Sequence, residues 1–353
     1  MIPRVVRYIL KRILMLFLVV VIATYITILI ANAGGYVDEI IKSEIQFNVA
    51  MYVQNNPAYK GLPPEELKKL IDSMVETQLK LRGLDQPFFI RSFYYLGNAL
   101  TLNLGRSYFM TSDSGSRMVR LIILERLPQT ILLFTTATAL LFFIQLLGGL
   151  YLSGKYGKRI DRILVNLAPI SSMPGWFFLI LLILIFYTWL HLLPPSGLVD
   201  YPPPPDPFSY FLSVLKHMIL PLSAWLISYT WIGIYNMRNF FLIFSTEDYV
   251  EVAIAKGVPP GQVRRRYILR PSLPPIITNL ALALISSWMG AIVTETVYEW
   301  PGLGYTIAQA IGFMDAPVII GVTVMYAYLL AFTVLVLDII YGFLDPRIGA
   351  AGR

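Results

Sequence analysis

The sequence contains no cysteine and only two histidines, His191 and His217, among its 353 residues. Without cysteine, disulfides, zinc–thiolate sites and cysteine nucleophiles are excluded, and two histidines are too few for a histidine metal cluster. Charged residues are also scarce: they make up 14% of the chain, where a soluble domain carries about 25%. Hydrophobic residues make up 56% of the chain, and its mean hydropathy is +0.65. The composition therefore indicates a membrane protein.

A phosphate-binding loop of the form Gly-x4-Gly-Lys-Ser/Thr is also missing from the sequence. Gly302-Leu303-Gly304 follows a Trp-Pro pair and indicates a tight turn, not a nucleotide site. The net charge of +7 would raise the question of nucleic acid in a soluble protein, but here the basic residues lie mainly between apolar runs. We therefore predict no nucleic-acid partner, and no catalytic, cofactor-binding or metal-binding site in this chain.

Apolar runs long enough to cross a bilayer, which takes about 20 residues, follow one another along the chain. Each is free of charge, and the third is predicted to be embedded only up to about Leu190. The six runs lie between Arg12 and Asp38, Arg126 and Lys155, Arg162 and Asp200, Lys216 and Arg238, Arg270 and Glu295, and Asp315 and Asp338. They lack the two-residue alternation of barrel strands. We predict an all-α polytopic protein with six membrane spans.

Lysine and arginine in short loops predict the orientation of these spans, because cytoplasmic loops carry an excess of both. The N-terminus and the loops after the second and fourth runs are rich in these residues, and the opposite short loops are poor in them. Both termini are therefore predicted to be cytoplasmic. The chain divides into residues 1–31 with the first span, an external segment 32–125, and a five-span core 126–353. The first run is too long for a typical signal peptide, which favours a membrane anchor.

The external segment contains an amphipathic pattern over residues 63–82 that predicts a helix. Pro63 and Pro64 suit its start, and Glu65 and Glu66 favour its positive end. Packing on the rest of its own subunit is the favoured interpretation, and contact with a soluble partner is the alternative. In the loop 191–216, four consecutive prolines predict a stiff, extended spacer.

The loop 244–272, predicted to be cytoplasmic, contains a short helix pattern. Ser245 or Thr246 is expected to cap that helix, and Gly257 is expected to end it in a left-handed backbone. Pro259 and Pro260 are expected to prevent its resumption, with a second short helix beginning near Gly261. Small residues on its surface allow close approach by another protein, although a helix lying on the membrane surface fits the same pattern.

This loop resembles the EAA motif of importer permeases of the ATP-binding-cassette (ABC) class. Glu251, Ala253, Gly257 and Leu269 match the motif, whereas Val252 replaces its middle alanine. Tyr267 and Arg270 depart from the general pattern, and Pro274 stands where the dipeptide/oligopeptide branch of the family places a proline.

Other blocks resemble the same branch and occur in the same order. They are Gly83–Pro87, Leu104–Ser107, Glu125–Thr130, Leu193–Gly197, His217–Pro221, Glu295–Gly304 and Leu344–Ile348. The resemblance therefore covers nearly the whole chain, and it is to the first permease of a pair. Two departures concern the external face: Ala31–Gly35 replaces the usual end of the first span, and the segment 36–82 is longer than usual.

The resemblance implies a type I importer permease in the cell membrane, without enzyme activity of its own. It implies a second homologous permease, two ATPase subunits that bind ATP and magnesium, an external substrate-binding protein and a surrounding lipid bilayer. It assigns ATPase coupling to Asp248, Tyr249, Glu251, Ala253, Ala255, Lys256 and Gly257. It also identifies candidate residues for an external gate or loop, namely Glu295, Thr296, Trp300, Pro301, Gly302 and Gly304.

Peptides are the substrate that the family resemblance implies, and oligosaccharides or metal chelates are the alternatives within the same machinery. The rival classes are an ion-coupled carrier, a membrane-embedded hydrolase and a structural scaffold. A carrier would need acidic residues in the middle of a span, and a hydrolase would need a paired base, a metal set or a nucleophile at that depth. None of the six apolar runs contains such a set.

Overall fold

The structure is a computed structural model that describes residues 4–32, 36–59, 63–81, 83–84 and 86–344. These residues are mostly helical, with a single isolated antiparallel bridge between Arg106 and Met118 and no strand among them. The chain divides into two compact units, residues 1–122 with 310–331 and residues 123–309 with 332–353. Both termini and most of the closing block Leu344–Ile348 lie outside the described residues.

The first unit is built on the first apolar run. Its helices are α1 (Arg4–Asn32), α2 (Tyr36–Asn55), α3 (Pro64–Leu81), α4 (Phe88–Leu100) and most of α14 (Ala316–Leu344). On α1, the Tyr25 ring stacks on Phe93 of α4 with centroids 5.4 Å apart, and its hydroxyl lies 3.2 Å from Ser92 Oγ. Tyr328 of α14 donates a hydrogen bond to Leu100 O at 2.7 Å. Aromatic and polar contacts therefore join these helices.

The predicted amphipathic helix over residues 63–82 is confirmed as α3, with Glu65 and Glu66 in its first turn. It pairs with α2 around a small apolar core. The buried side chains of that core are Ile45, Val49, Val53, Val75 and Leu84. The apolar face of α3 thus packs on its own chain, as the favoured interpretation expects.

The second unit holds most of the remaining helices. They are the main part of α5 (Val119–Ser153), α6 (Arg159–Leu167), α7 (Gly175–Ile183), α8 (Pro207–Ser245), α9 (Asp248–Ala255), α10 (Pro260–Gln262), α11 (Arg270–Ser286), α12 (Ile292–Tyr298) and most of α13 (Leu303–Gly312). Helices α5 and α8 approach closely where small residues allow it. A Cβ on Gly149 would lie 2.6 Å from Met237 Cβ, so a larger residue could not occupy this position without displacing α8.

Four of the described helices are long and apolar enough to cross a membrane. They are Leu10–Ile30, Val119–Ser153, Pro207–Ser245 and Ala316–Val336, and the pair Arg159–Ser172 and Gly175–Trp189, bent by 89°, would make a fifth. The predicted span between Arg270 and Glu295 is interrupted instead. Helix α11 ends at Ser286, and the chain then turns through Gly290, whose φ is +66°. Six spans therefore stay a prediction.

The fourth apolar run corresponds to a longer helix than the charge pattern indicates. Helix α8 begins at Pro207, before Lys216, so the loop predicted over 191–216 ends at Asp206. Asp206 caps the helix by accepting a hydrogen bond from Ser209 N at 2.9 Å, and Pro207 takes the first helical position. The boundary fails because Lys216 is a charged residue inside the helix and not at its start.

Single cysteines can test the predicted orientation cleanly, because the native chain has none. Ser114 and Gln262 are both exposed in the structure. We expect a cysteine at Ser114 to react with a membrane-impermeant maleimide in intact cells, and one at Gln262 to react only after the membrane is opened. The reverse labelling pattern would contradict the orientation given by the basic loops.

Candidate functional site

The candidate coupling segment begins where α8 ends. Ser245 and Thr246 were expected to cap the short helix, but they belong to the end of α8 and donate their hydroxyls to Leu242 O and Ile243 O. Glu247 takes the position before α9, without a side-chain capping bond. The expectation fails because α8 continues further than its apolar run and uses these hydroxyls for its own last carbonyls.

The end of α9 matches the expectation at Gly257, whose φ is +76°. Val258 N donates to Ala253 O at 3.1 Å, and Gly257 N donates to Ile254 O at 2.9 Å. These paired bonds form a Schellman motif, in which a left-handed residue satisfies the last carbonyls of a helix. No atom lies within 4 Å of a Cβ built on Gly257. The constraint at this position within the chain is therefore the backbone angle.

Helix α9 has two faces of different character. Val250 and Ala253 are buried, and Val250 packs with Phe241, Val263 and Ile268 in an apolar cluster. The opposite face is exposed and carries Asp248, Tyr249, Glu251, Val252, Ile254, Ala255 and Lys256. Ala253 was predicted on the coupling surface, whereas the structure places it against its own subunit. Its side chain thereby holds α9 against the rest of the subunit and is not available on the surface for a partner protein.

Two apolar residues of the exposed face were not predicted from the sequence to be surface residues. Val252 is 51% exposed and Ile254 is 60% exposed, beside Tyr249 at 40%. Val252 had been noted only as a departure from the motif. A burial pattern over eight residues gives too few turns to assign the two faces, so the apolar character of this surface emerges only from the packing of Val250 and Ala253.

The segment after α9 follows the expectation. Helix α9 ends at Ala255 and does not resume, and a separate helix, α10, begins at Pro260, one residue before the expected start near Gly261. Proline is favoured at this first helical position. The helix continues as a π-helical stretch over Val263–Leu269 and joins α11 at Arg270. Arg264, Arg265 and Arg266 lie on this stretch. The candidate coupling segment is thus held between two long helices, α8 and α11.

The external candidates surround a buried carboxylate. Glu295 on α12 is fully buried, and its Oε1 accepts a hydrogen bond from Thr130 Oγ1 at 3.1 Å. Its Oε2 accepts from Tyr305 N at 3.1 Å. Thr130 Oγ1 in turn accepts from Leu303 N at 2.7 Å. One carboxylate and one hydroxyl therefore hold the turn over residues 299–303 onto α5.

The turn itself is shaped by Trp300 and by glycines. Trp300 is fully buried in the main core of the second unit and donates from Nε1 to Gln129 O at 3.0 Å. A Cβ on Gly302 would overlap with the Glu295 carboxylate and the Thr130 hydroxyl, and one on Gly304 would lie 2.9 Å from Ile292 Cα. Of the predicted residues, only Thr296 is exposed, and Pro301 is partly buried. This cluster positions the turn.

The loop before α8 rests on the same turn. Gly197 N donates to Tyr298 O at 2.9 Å, and the Tyr298 hydroxyl donates to Pro194 O at 3.2 Å. Further along the loop, hydrogen bonding from the Ser213 hydroxyl, together with Lys216, holds the pKa of Asp200 below its ordinary value against an opposing effect of burial. The loop is therefore anchored at Pro194, Gly197 and Asp200.

The sequence is similar to those of known transport proteins. The family model described as "Binding-protein-dependent transport system inner membrane component" matches residues 145–350. The Escherichia coli (strain K12) protein named "Probable D,D-dipeptide transport system permease protein DdpB" is 31% identical over 300 residues, which cover 80% of this chain and 86% of that protein. The "Di/tripeptide transport system permease protein DppB" of Pseudomonas aeruginosa (strain UCBPP-PA14) is 33% identical over 283 residues, covering 75% and 82%.

A solved structure is also similar. The chain of "Inward facing conformations of the MetNI methionine ABC transporter: CY5 native crystal form" matches with a TM-score of 0.44 and 18% sequence identity. The match covers 65% of this chain and 95% of that chain.

Proposed function

We propose that this chain, which belongs to the family of binding-protein-dependent transport system inner membrane components, imports dipeptides or oligopeptides with energy from ATP hydrolysed on separate subunits. The chain is a multi-pass inner-membrane permease subunit of an ABC importer. The names of its relatives support peptides as the substrate class. An external binding protein would deliver the peptide, and a second homologous permease would complete the path.

The two-faced helix α9 is the observation that carries this proposal. Its inner face is fixed by Val250 and Ala253, and its outer face offers Tyr249, Val252 and Ile254 to a partner. An exposed apolar patch rimmed by charged residues is typical of a protein-docking site. We assign this face to a groove on an ATPase subunit, with Asp248, Glu251 and Lys256 as its charged rim.

The mechanism follows from differential binding. ATP and magnesium would be held entirely by the ATPase subunits, whose closure would displace α9. A permease with inward-open and outward-open states responds only if the ATPases bind one state more tightly than the other. The Schellman turn at Gly257 and the buried Val250 make α9 a rigid unit that can transmit such a displacement.

Assembly and transport can be tested together. We expect this chain to co-purify with a related permease and two ATPase subunits, and the reconstituted complex to accumulate labelled dipeptide only with ATP, magnesium and the binding protein. A matched preparation without the ATPases serves as the control. Transport by this chain alone, without nucleotide, would end the proposal, and uptake of an oligosaccharide or metal chelate in place of peptide would correct the substrate.

A further inference from the structure

A buried ion pair in the second unit fixes the turn between α5 and α6. Arg238 of α8 donates from Nε to Asp161 Oδ1 at 2.8 Å and from Nη2 to Asp161 Oδ2 at 2.5 Å. The two side chains are only 7% and 4% exposed. Asp161 Oδ2 also accepts from Gly157 N at 2.9 Å, at a position where φ is +73°. The carboxylate thus ties the turn 154–158 to α8.

The guanidinium of Arg238 is held on every side that the structure describes. Its Nη1 donates to Asn239 Oδ1 at 2.6 Å, and its Cζ lies 4.6 Å from the ring centroid of Tyr156 and 5.8 Å from that of Tyr235. A two-bonded, stacked arginine fixes direction as well as distance, which a lysine cannot do. The turn 154–158 and α8 are therefore joined with a defined geometry.

The same turn lies beside the elements that flank α9. Phe241, one turn beyond Arg238 on α8, is fully buried in the apolar cluster that contains Val250 of α9. On the other side, a Cβ on Gly154 would lie 3.4 Å from Cδ of Arg264, which follows α9. The turn 154–158 thus touches the helix before α9 and the helix after it.

Asp161 also belongs to the bent pair, since α6 is the first arm of that 89° bend. The region of the bend is bound to α8 by two hydrogen bonds. Ser228 Oγ donates to Met173 O at 2.8 Å, and Ser171 Oγ accepts from Ile232 N at 3.2 Å. Polar contacts at three places along α8 therefore join this helix to the bent pair.

We propose that the Asp161–Arg238 pair and the turn 154–158 act as a positioning strut that makes α9 and the bent pair α6–α7 move as one body. The strut passes the displacement of α9 to the bent pair. This role rests on the proposed docking function of α9. A buried ion pair often contributes little net stability, whereas removing one partner leaves an uncompensated buried charge. A role in geometry explains the pair better than a role in stability.

Two variants test the strut in the reconstituted complex. Asp161→Asn keeps the shape and removes the charge, and Arg238→Lys keeps the charge and removes the fork. We expect the ATPases to co-purify and ATP hydrolysis to continue in both, while peptide uptake per ATP hydrolysed falls about tenfold, within the usual range of a coupling free energy. If Asp161→Asn does not reach the membrane, Arg238→Lys still gives the answer.

A rescue experiment separates transmission from folding. Cysteines replacing Gly154 and Arg264 are added to Asp161→Asn and joined by a short bifunctional thiol reagent, with joining verified by mass; no native cysteine competes within this chain. We expect the cross-link to restore uptake per ATP hydrolysed in Asp161→Asn. The control is Asp161→Asn with Gly154→Cys as its single cysteine; it cannot be cross-linked, and the reagent should not restore its uptake. Normal uptake per ATP hydrolysed in both Asp161→Asn and Arg238→Lys, or no rescue after verified cross-linking, would overturn the strut. If the ATPases do not bind the wild-type protein at all, the docking function of α9 is overturned instead.

Discussion

Gly257→Val is expected to leave the protein inserted in the membrane and paired with its second permease, but to abolish coupled uptake. Valine at a φ of +76° is strained by about 1–3 kcal/mol, and the Schellman bonds from Gly257 and Val258 depend on that angle. The strain is relieved by tilting the C-terminal turn of α9, which moves Ile254 and Lys256. The measurements are peptide uptake, ATP hydrolysis and co-purified ATPase in the same vesicles.

Asparagine gives the matched control, because it adopts the left-handed region far more readily than valine. No atom of this chain obstructs a Cβ at Gly257, so Gly257→Asn should keep the turn. If Gly257→Asn transports and Gly257→Val does not, the backbone angle is what coupling needs; if both lose ATPase binding, the partner's groove encloses the turn. Glu251→Ala should change uptake little, because an exposed ion pair contributes about 0–1 kcal/mol. Normal coupled uptake in Gly257→Val would show that the segment is only a linker.

The end of helix α9 could be predicted from sequence, and its beginning could not. Gly257 indicates a helix end with a left-handed backbone, because glycine alone adopts positive φ angles without steric cost. Ser245 and Thr246 are equally good residues for starting one helix and for finishing another, since a hydroxyl can accept from an amide or donate to a carbonyl. The length of α8 decides between these roles, and that length depends on the burial of Phe241 and Arg238 in the folded unit.

The membrane spans show the same division between local and tertiary signals. The Asp206-Pro207 pair, a capping residue followed by proline, indicates the start of α8 in the sequence. The charge of Lys216 nevertheless placed the predicted boundary later, because the spans were predicted from uncharged runs. The interruption after Ser286 was less accessible. Gly290 has a φ of +66°, and a Cβ on it would lie 2.9 Å from Thr130 Cγ2 on α5. That contact joins residues far apart in the sequence, which no short-range pattern relates.

The cluster around Glu295 was identified in the sequence as a candidate gate or loop, and the structure buries most of its residues. Glu295, Trp300, Gly302 and Gly304 were identified as candidates for a gate, and all four are buried. Sequence could not reveal Thr130 as their partner, because it lies on α5 far earlier in the chain. The hydroxyl of Thr130 is the link between the carboxylate and the turn.

Gly302→Ala is therefore expected to destabilise the protein strongly and to remove uptake. The added Cβ would overlap with the Glu295 carboxylate and the Thr130 hydroxyl. Neither group can withdraw freely, because Thr130 Oγ1 also accepts from Leu303 N and Glu295 Oε2 also accepts from Tyr305 N. Overpacking costs about 1–3 kcal/mol, and a buried group left without its hydrogen bond costs about 1–3 kcal/mol more.

Gly312→Ala is the control, since it lies near the end of α13 and a Cβ there meets no atom within 4 Å. Both variants are purified in the same detergent and compared by thermal unfolding, followed by reconstitution and peptide uptake. We expect Gly312→Ala to match the wild type and Gly302→Ala to unfold at a clearly lower temperature. Thr130→Ala and Gly302→Ala disturb the same hydrogen bonds around Thr130 Oγ1, so the loss of stability in the double variant should be smaller than the sum of the two single losses. A Gly302→Ala protein as stable and as active as the wild type would mean that the turn is not packed against Glu295, and the positioning role of that carboxylate would fall with it.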